Sequence, residues 1–267
     1  MNYTKSLVLM VARIKSKEQA KKALENIENN YLLDKAENLT WTLIVEPEDA
    51  TKKVIDRDAE IWEYVVKGIA KLNQKYAQRE NRFCAYRRYR VYYPREKIWI
   101  GEERKRGAIM DFSKYIYGKV SSNKFLGTNE NLYNSQIPLM CILDFDTMIT
   151  KDSISSLIKM YNTKNIKIEN RNVVKGYGIL QPGIKVVKNE QQLLDFQLSY
   201  FNREKSKSHL KVSRFVGKGL IHIPTFIECL DNRLPKNIVL SHDIVEGEIL
   251  RTLKCKDIEF LESAPTT

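Results

Sequence analysis

Two runs of apolar residues, Leu7-Val8-Leu9-Met10-Val11 and Trp41-Thr42-Leu43-Ile44-Val45, have strand length and little polar alternation, the pattern of strands covered on both faces. A helical segment follows each. The first, near residues 16 to 30, is rich in Lys, Glu and Ala; the second, from Asp58 to about Ala77, sets Ile61, Val65, Ile69 and Leu72 along one helix face. A third strand is predicted near 83 to 89, then a short hairpin-like piece, a helix starting near Glu103, and another buried strand over Ile137 to Leu143. This alternation predicts an α/β fold with a largely parallel sheet and helices on both faces. Asp152, ahead of the apolar-periodic Ile154 to Ile158, reads as an ordinary helix cap.

One strand admits two readings. In Arg87-Arg88-Tyr89-Arg90-Val91-Tyr92-Tyr93 basic and aromatic residues interleave, as in surfaces that stack bases and contact phosphates. A half-buried strand shows the same alternation, with Phe83, Ala85 and the tyrosines on one face and the arginines on the other.

Composition narrows the class. At 267 residues with 43% hydrophobic content the chain can bury one sizeable core, and no Gly/Ser-rich or Pro-rich tract marks a linker, so one domain over residues 1–267 is expected. The formal charge of +12 points to an anionic partner without choosing among nucleic acid, an acidic membrane surface and a phosphorylated substrate. Cys84, Cys141, Cys229 and Cys255 form no CxxC pair and the histidines have no zinc-like spacing, which fits a reducing, cytoplasmic compartment. The opening residues do not read as a signal peptide, and no stretch reaches the roughly 18 to 20 apolar residues that a membrane span needs.

Ligands of open α/β sheets sit beyond the carboxyl ends of the strands, so polar residues directly after a strand are the first candidates. Glu46, Glu48 and Asp49 follow the second strand; Asp144-Phe145-Asp146 follows the strand that ends at Leu143. A DxD triplet there can direct hard oxygens at one Mg²⁺ or Mn²⁺ ion bridging a diphosphate, or can simply be a solvated turn. Glu103-Arg104-Lys105-Arg106-Gly107 puts three cations at a helix start, where free amides favour a phosphate; if one binds there, the turn must lie close to the DxD. Phe215-Val216-Gly217-Lys218-Gly219 suits close backbone approach to a ligand and is no Walker loop. In Ser241-His242-Asp243, Asp243 is either a general base or a helix-start carboxylate.

The order of these motifs resembles the glycosyltransferase domain of cyclic β-1,2-glucan synthases and, more distantly, the processive cellulose and chitin synthases. The stretches that carry it are Trp99 with Glu103 to Gly107, Gly176-Tyr177-Gly178-Ile179-Leu180-Gln181-Pro182, Phe215 to Gly219, and Asn237 to Asp243 with Glu246-Gly247. The resemblance implies a GT-A type nucleotide-sugar-binding fold, UDP-glucose as donor, a β-glucan acceptor, a divalent metal and inversion. By residue, it implies Asp144 and Asp146 as metal ligands, with Asp144 also on the diphosphate. Lys105 and its neighbour Arg106, with Glu46 and Asp49, would contact the nucleotide. Asp243 would be the base, and Gly217, Lys218, Gly219 and His242 the acceptor-side loop candidates. No nucleic-acid partner is expected.

Two departures qualify it. The family's acid after the second strand is an aspartate, where this chain has Glu46, Glu48 and Asp49. The sequence stops at Thr267, ahead of the acceptor-binding RW segment and membrane helices of the family. Membrane attachment at the cytoplasmic face is therefore expected through those segments or the basic surface.

Overall fold

The computed structural model describes residues 4–76, 82–161, 165–187, 214–235 and 242–263. Its centre is a sheet of nine strands. In chain order these are β1 (Ser6–Arg13), β2 (Leu39–Glu46), β3 (Phe83–Arg88), β6 (Phe125–Gly127), β7 (Leu139–Asp144), β8 (Met148–Ile149), β11 (Ile179–Val187), β12 (Gly219–His222) and β13 (Thr252–Ser263). Their order across the sheet is β6-β3-β2-β1-β7-β12-β11-β13-β8. Two hairpins stand apart from it, β4 (Val91–Tyr93) with β5 (Ile98–Ile100), and β9 (Lys167–Glu169) with β10 (Asn172–Lys175).

β3, β2, β1 and β7 are parallel neighbours; β11 is antiparallel to β12, which is antiparallel to β7, and β13 is parallel to β11. Six strands therefore point one way, while β6, β12 and β8 oppose them. The expected mixed, mostly parallel sheet is the one observed.

Strand alternation divides the core into two layers. Val8, Met10 and Ala12 of β1 face one side, against α1 (Lys17–Leu33), α2 (Asp56–Tyr76) and α4 (Ser153–Tyr161). Leu7, Leu9 and Val11 face the other, against α3 (Arg104–Ile116), α5 (Ile223–Leu230) and α6 (Asp243–Leu250). Every one of these six β1 side chains is buried, which is why the run carries no polar alternation.

The registers set the location of the site. Arg13 pairs with Glu46, Val45 with Arg87, and Val11 with Asp144, so β1, β2, β3 and β7 end along one sheet edge. Because β12 runs against β7 with Gly219 opposite Ile142, the 215–218 loop arrives at that edge, and parallel β13 delivers Glu262 to it.

Two local expectations are corrected. Phe83 and Ala85 face one layer, but Tyr86 faces the other with Cys84, and the arginines are not an open basic face. Arg88, 3% exposed, donates to Glu46 and Asp111 at 2.9 Å each and to the carbonyls of Glu102 and Arg104. Arg90 is equally buried, paired with Asp58 and donating to the Glu48 carbonyl. These cations are neutralised internally, so the strand offers no phosphate-contacting row. Nor does the Asp152 carboxylate cap α4: Asp34, from the end of α1, accepts from the Ser155 amide at 2.8 Å and from its hydroxyl at 2.6 Å. Asp152 itself has φ of 54° and contributes its carbonyl to the Ser156 amide. A long-range carboxylate has replaced the local one, which sequence spacing does not reveal.

Candidate active site

Lys105, in the first turn of α3, reaches across the sheet edge. Its ammonium donates to Asp144 Oδ1 and, at 2.9 Å, to the Gly217 carbonyl. Lys218 takes the other oxygen of the same carboxylate at 3.0 Å and also pairs with Glu262 of β13. The basic turn therefore does lie on the DxD, as a phosphate site requires. Burial alone pushes the Asp144 carboxyl up, but the two ammonium groups outweigh it and hold it below the usual carboxylate range.

Asp243 packs against the same loop. Gly217 has φ of +76°, a left-handed conformation that suits glycine, and a Cβ placed there would lie 3.0 Å from Asp243 Oδ2. The loop is thus bare of side chain where the carboxylate packs. Burial raises the Asp243 pKa, with Asp144 adding to the rise and Lys105 opposing it. His242 is held below its ordinary value by burial and by Arg106, so it is neutral at pH 7. Ser241 and the apolar run Ile238 to Leu240 lie outside the described residues.

Not every expected residue joins this cluster. Glu46 is 5% exposed and bonded to Arg88, and the Gly101 backbone covers it: a Cβ on Gly101 would meet Glu46 Oε2 at 2.4 Å. Its carboxylate is thus turned into the contact with Arg88 and Gly101 and away from the Lys105 cluster. Burial lifts its pKa, against the attraction of Arg88. Asp49 is better placed, half-buried at the edge between Arg13 at 2.8 Å and Arg104 at 3.2 Å. Arg106 turns inward and donates to Glu246 at 2.7 Å and to Glu103. The three cations of the turn diverge, Arg104 to Asp49, Lys105 to Asp144 and Arg106 to Glu246 and Glu103.

A divalent ion fits only in part. Asp144 and the exposed Asp146 are hard oxygen donors, but among the described residues no three His, Cys, Asp or Glu side chains are grouped to hold a metal. Both oxygens of Asp144 are paired, Oδ1 with Lys105 and Oδ2 with Lys218, so an ion there would share the carboxylate with an ammonium or displace one, and would take its remaining ligands from phosphate oxygens and water.

Reasoning from motifs missed Glu262, because strand pairing alone delivers it, and gave Glu246 no role. The latter had a signal, since it stands three residues after Asp243 and so on the same side of a helix.

No protein-family model matches the chain. Over 278 residues it is 28% identical to the cyclic beta-(1,2)-glucan synthase NdvB of Rhizobium meliloti, across 98% of this chain. The chain is similar to a glucan synthase. The match takes in 10% of NdvB, so the chain spans about a tenth of the length of this curated relative. Two solved structures are more loosely alike. Residues 1–349 of TarS from S. aureus match at a TM-score of 0.45 with 9% identity, over 97% of this chain and 60% of that one. The galactosyltransferase LgtC, solved with donor and acceptor sugar analogs, matches at 0.42 with 9% identity, over 93% and 73%. Among the described residues no helix is long and apolar enough to cross a membrane.

Proposed function

We propose that the chain is the nucleotide-sugar-binding catalytic domain of an inverting, GT-A type glycosyltransferase, moving a glucosyl unit from UDP-glucose onto a β-glucan. The observation that carries this reading is the Lys105 corner. One ammonium ties the strand-end Asp144 to the Gly217 carbonyl, and the Asp243 carboxylate packs on that same glycine. Two ammonium groups, Lys105 and Lys218, which a leaving diphosphate could draw from Asp144, thus lie by the same loop as a half-buried carboxylate suited to proton abstraction. The likeness to NdvB supports the sugar chemistry and the glucan product.

In this mechanism Asp243 accepts the proton of an acceptor hydroxyl while that oxygen bonds to the anomeric carbon. The bond from the anomeric carbon to the diphosphate breaks on the opposite face, inverting the centre without a covalent intermediate. Lys105 and Lys218 stabilise the negative charge that collects on departing UDP. A Mg²⁺ or Mn²⁺ ion held by Asp144 and Asp146, when bound, adds Lewis-acid stabilisation of that same charge. Cytoplasmic UDP-glucose as donor belongs with this reading.

Calorimetry of UDP-glucose with Mn²⁺ or Mg²⁺, at matched salt, tests it on wild type and Asp144→Ala/Asp146→Ala. Metal-dependent binding is expected in the first and its loss in the second. Equal binding by both would refute the donor site, and stronger binding of another sugar nucleotide would reassign the donor.

A further inference from the structure

Lys105 and Arg106 are consecutive but serve different partners, and Arg106 has a geometry that nucleotide contact would not produce. Its side chain is 12% exposed and lies between Glu246 at 6% and Glu103 at 8%. One guanidinium faces two carboxylates, and no charge is left over for a phosphate.

The pair joins two helix starts. Arg106 is in the first turn of α3, next to the lysine that holds Asp144 and Gly217. Glu246 is in the first turn of α6, three residues after Asp243. A neighbouring side of α6 is closed by the loop itself, since a Cβ on Gly247 would meet Phe215 Cβ at 2.7 Å. α6 therefore sits between an ionic contact with α3 and a tight packing contact with the 215–217 loop. Both surfaces lie within one turn of Asp243, and a slide of α6 along either would change where its carboxylate meets Gly217.

We infer that Arg106 and Glu246 form a buried latch that positions Asp243 against the Lys105–Gly217 corner. Arg106 acts in transfer through the placement of α6 and does not touch the nucleotide. The inference rests on the transferase reading for the identity of the step, but the latch can be measured without it. Burial raises the Glu246 pKa while Arg106 opposes the rise, which agrees with a paired, dry carboxylate.

The test uses Glu246→Gln, Arg106→Gln, their double variant, and the charge reversal Arg106→Glu/Glu246→Arg. UDP-glucose affinity is read by calorimetry, and turnover by donor hydrolysis at saturating UDP-glucose, with water in the acceptor's place. Glu246→Gln should bind donor within about twofold of wild type yet lose turnover by at least about 30-fold, since a small misplacement of a reacting group costs rate more than affinity. The reversal should recover about tenfold or more of that loss. Turnover within twofold of wild type in a folded Glu246→Gln would overturn the latch. So would parallel losses of affinity and turnover in Arg106→Gln, which would return Arg106 to the nucleotide. If wild type neither binds nor hydrolyses UDP-glucose, the transferase reading is what fails. The latch is then decided by urea melts of the same cycle, where additive effects of the two single variants overturn it.

Discussion

Asp243 shows at the scale of one residue how a site trades against stability. Its folded pKa lies above the ordinary aspartate value because the carboxyl is buried, so in the window between the two the folded state holds a proton that the unfolded state has lost. Stability contributed by this group is therefore greatest below the unfolded value and falls as pH rises through the folded one. Asp243→Asn is expected to melt a few degrees above wild type at pH 7, with the gain shrinking to nothing below about pH 3.5. The same variant should lose turnover by roughly 10²- to 10⁴-fold. In wild type, turnover should rise with pH through a midpoint above the normal aspartate range. A lower melting temperature for Asp243→Asn at pH 7 would contradict the assignment of the raised pKa to burial. Gly217 belongs to the same balance, since its lack of a side chain is what lets the loop take a left-handed backbone close beside that carboxylate.

Among elements, buried ion pairs tie the edge of the sheet to the helix beside it. Arg88 leaves β3 to join the Glu46 end of β2, Asp111 of α3, the carbonyl of Arg104 that opens that helix and the carbonyl of Glu102 in the loop before it. Replacing it by Met would leave Glu46 without its buried partner and Asp111 with Lys124 alone, and about 3–5 kcal/mol of stability should be lost. The urea midpoint checks this, and a loss under about 1 kcal/mol would mean that water already reaches the pair. The elements themselves were legible in the sequence because they rest on periodicity: buried runs gave β1, β2 and β7, and four residues on one face gave α2. What that pattern does not carry is the partner of a charge. Arg88 and Arg106 read as open cations because charged residues are usually solvated, and only pairing across elements buries them. The DxD, the basic turn and Asp243 were found by type and position, but their convergence on Gly217 needed the antiparallel return of β12.

At the scale of the whole molecule, the two apolar layers enclose all four cysteines. Burial pushes Cys84 up to about 12 and Cys141 further, so neither thiol supplies the reactive thiolate at neutral pH. An aromatic disulfide reagent should therefore label the native protein negligibly and four thiols after denaturation. Rapid labelling of even one thiol would reveal local opening of a layer. Donor binding should slow any residual labelling, because a ligand that recognises only the folded site favours the closed core.

β13 gives the site a history as well as a shape. Lys218 is flanked by Asp144 from the middle of the sheet and by Glu262 from a strand that follows every other described element in the chain. As synthesis proceeds, the lysine meets its first carboxylate long before the second exists. The pocket of charges can reach its final balance only when the last strand aligns beside β11. Synthesis thus completes the surroundings of Lys218 only after every other described strand of the sheet has been made.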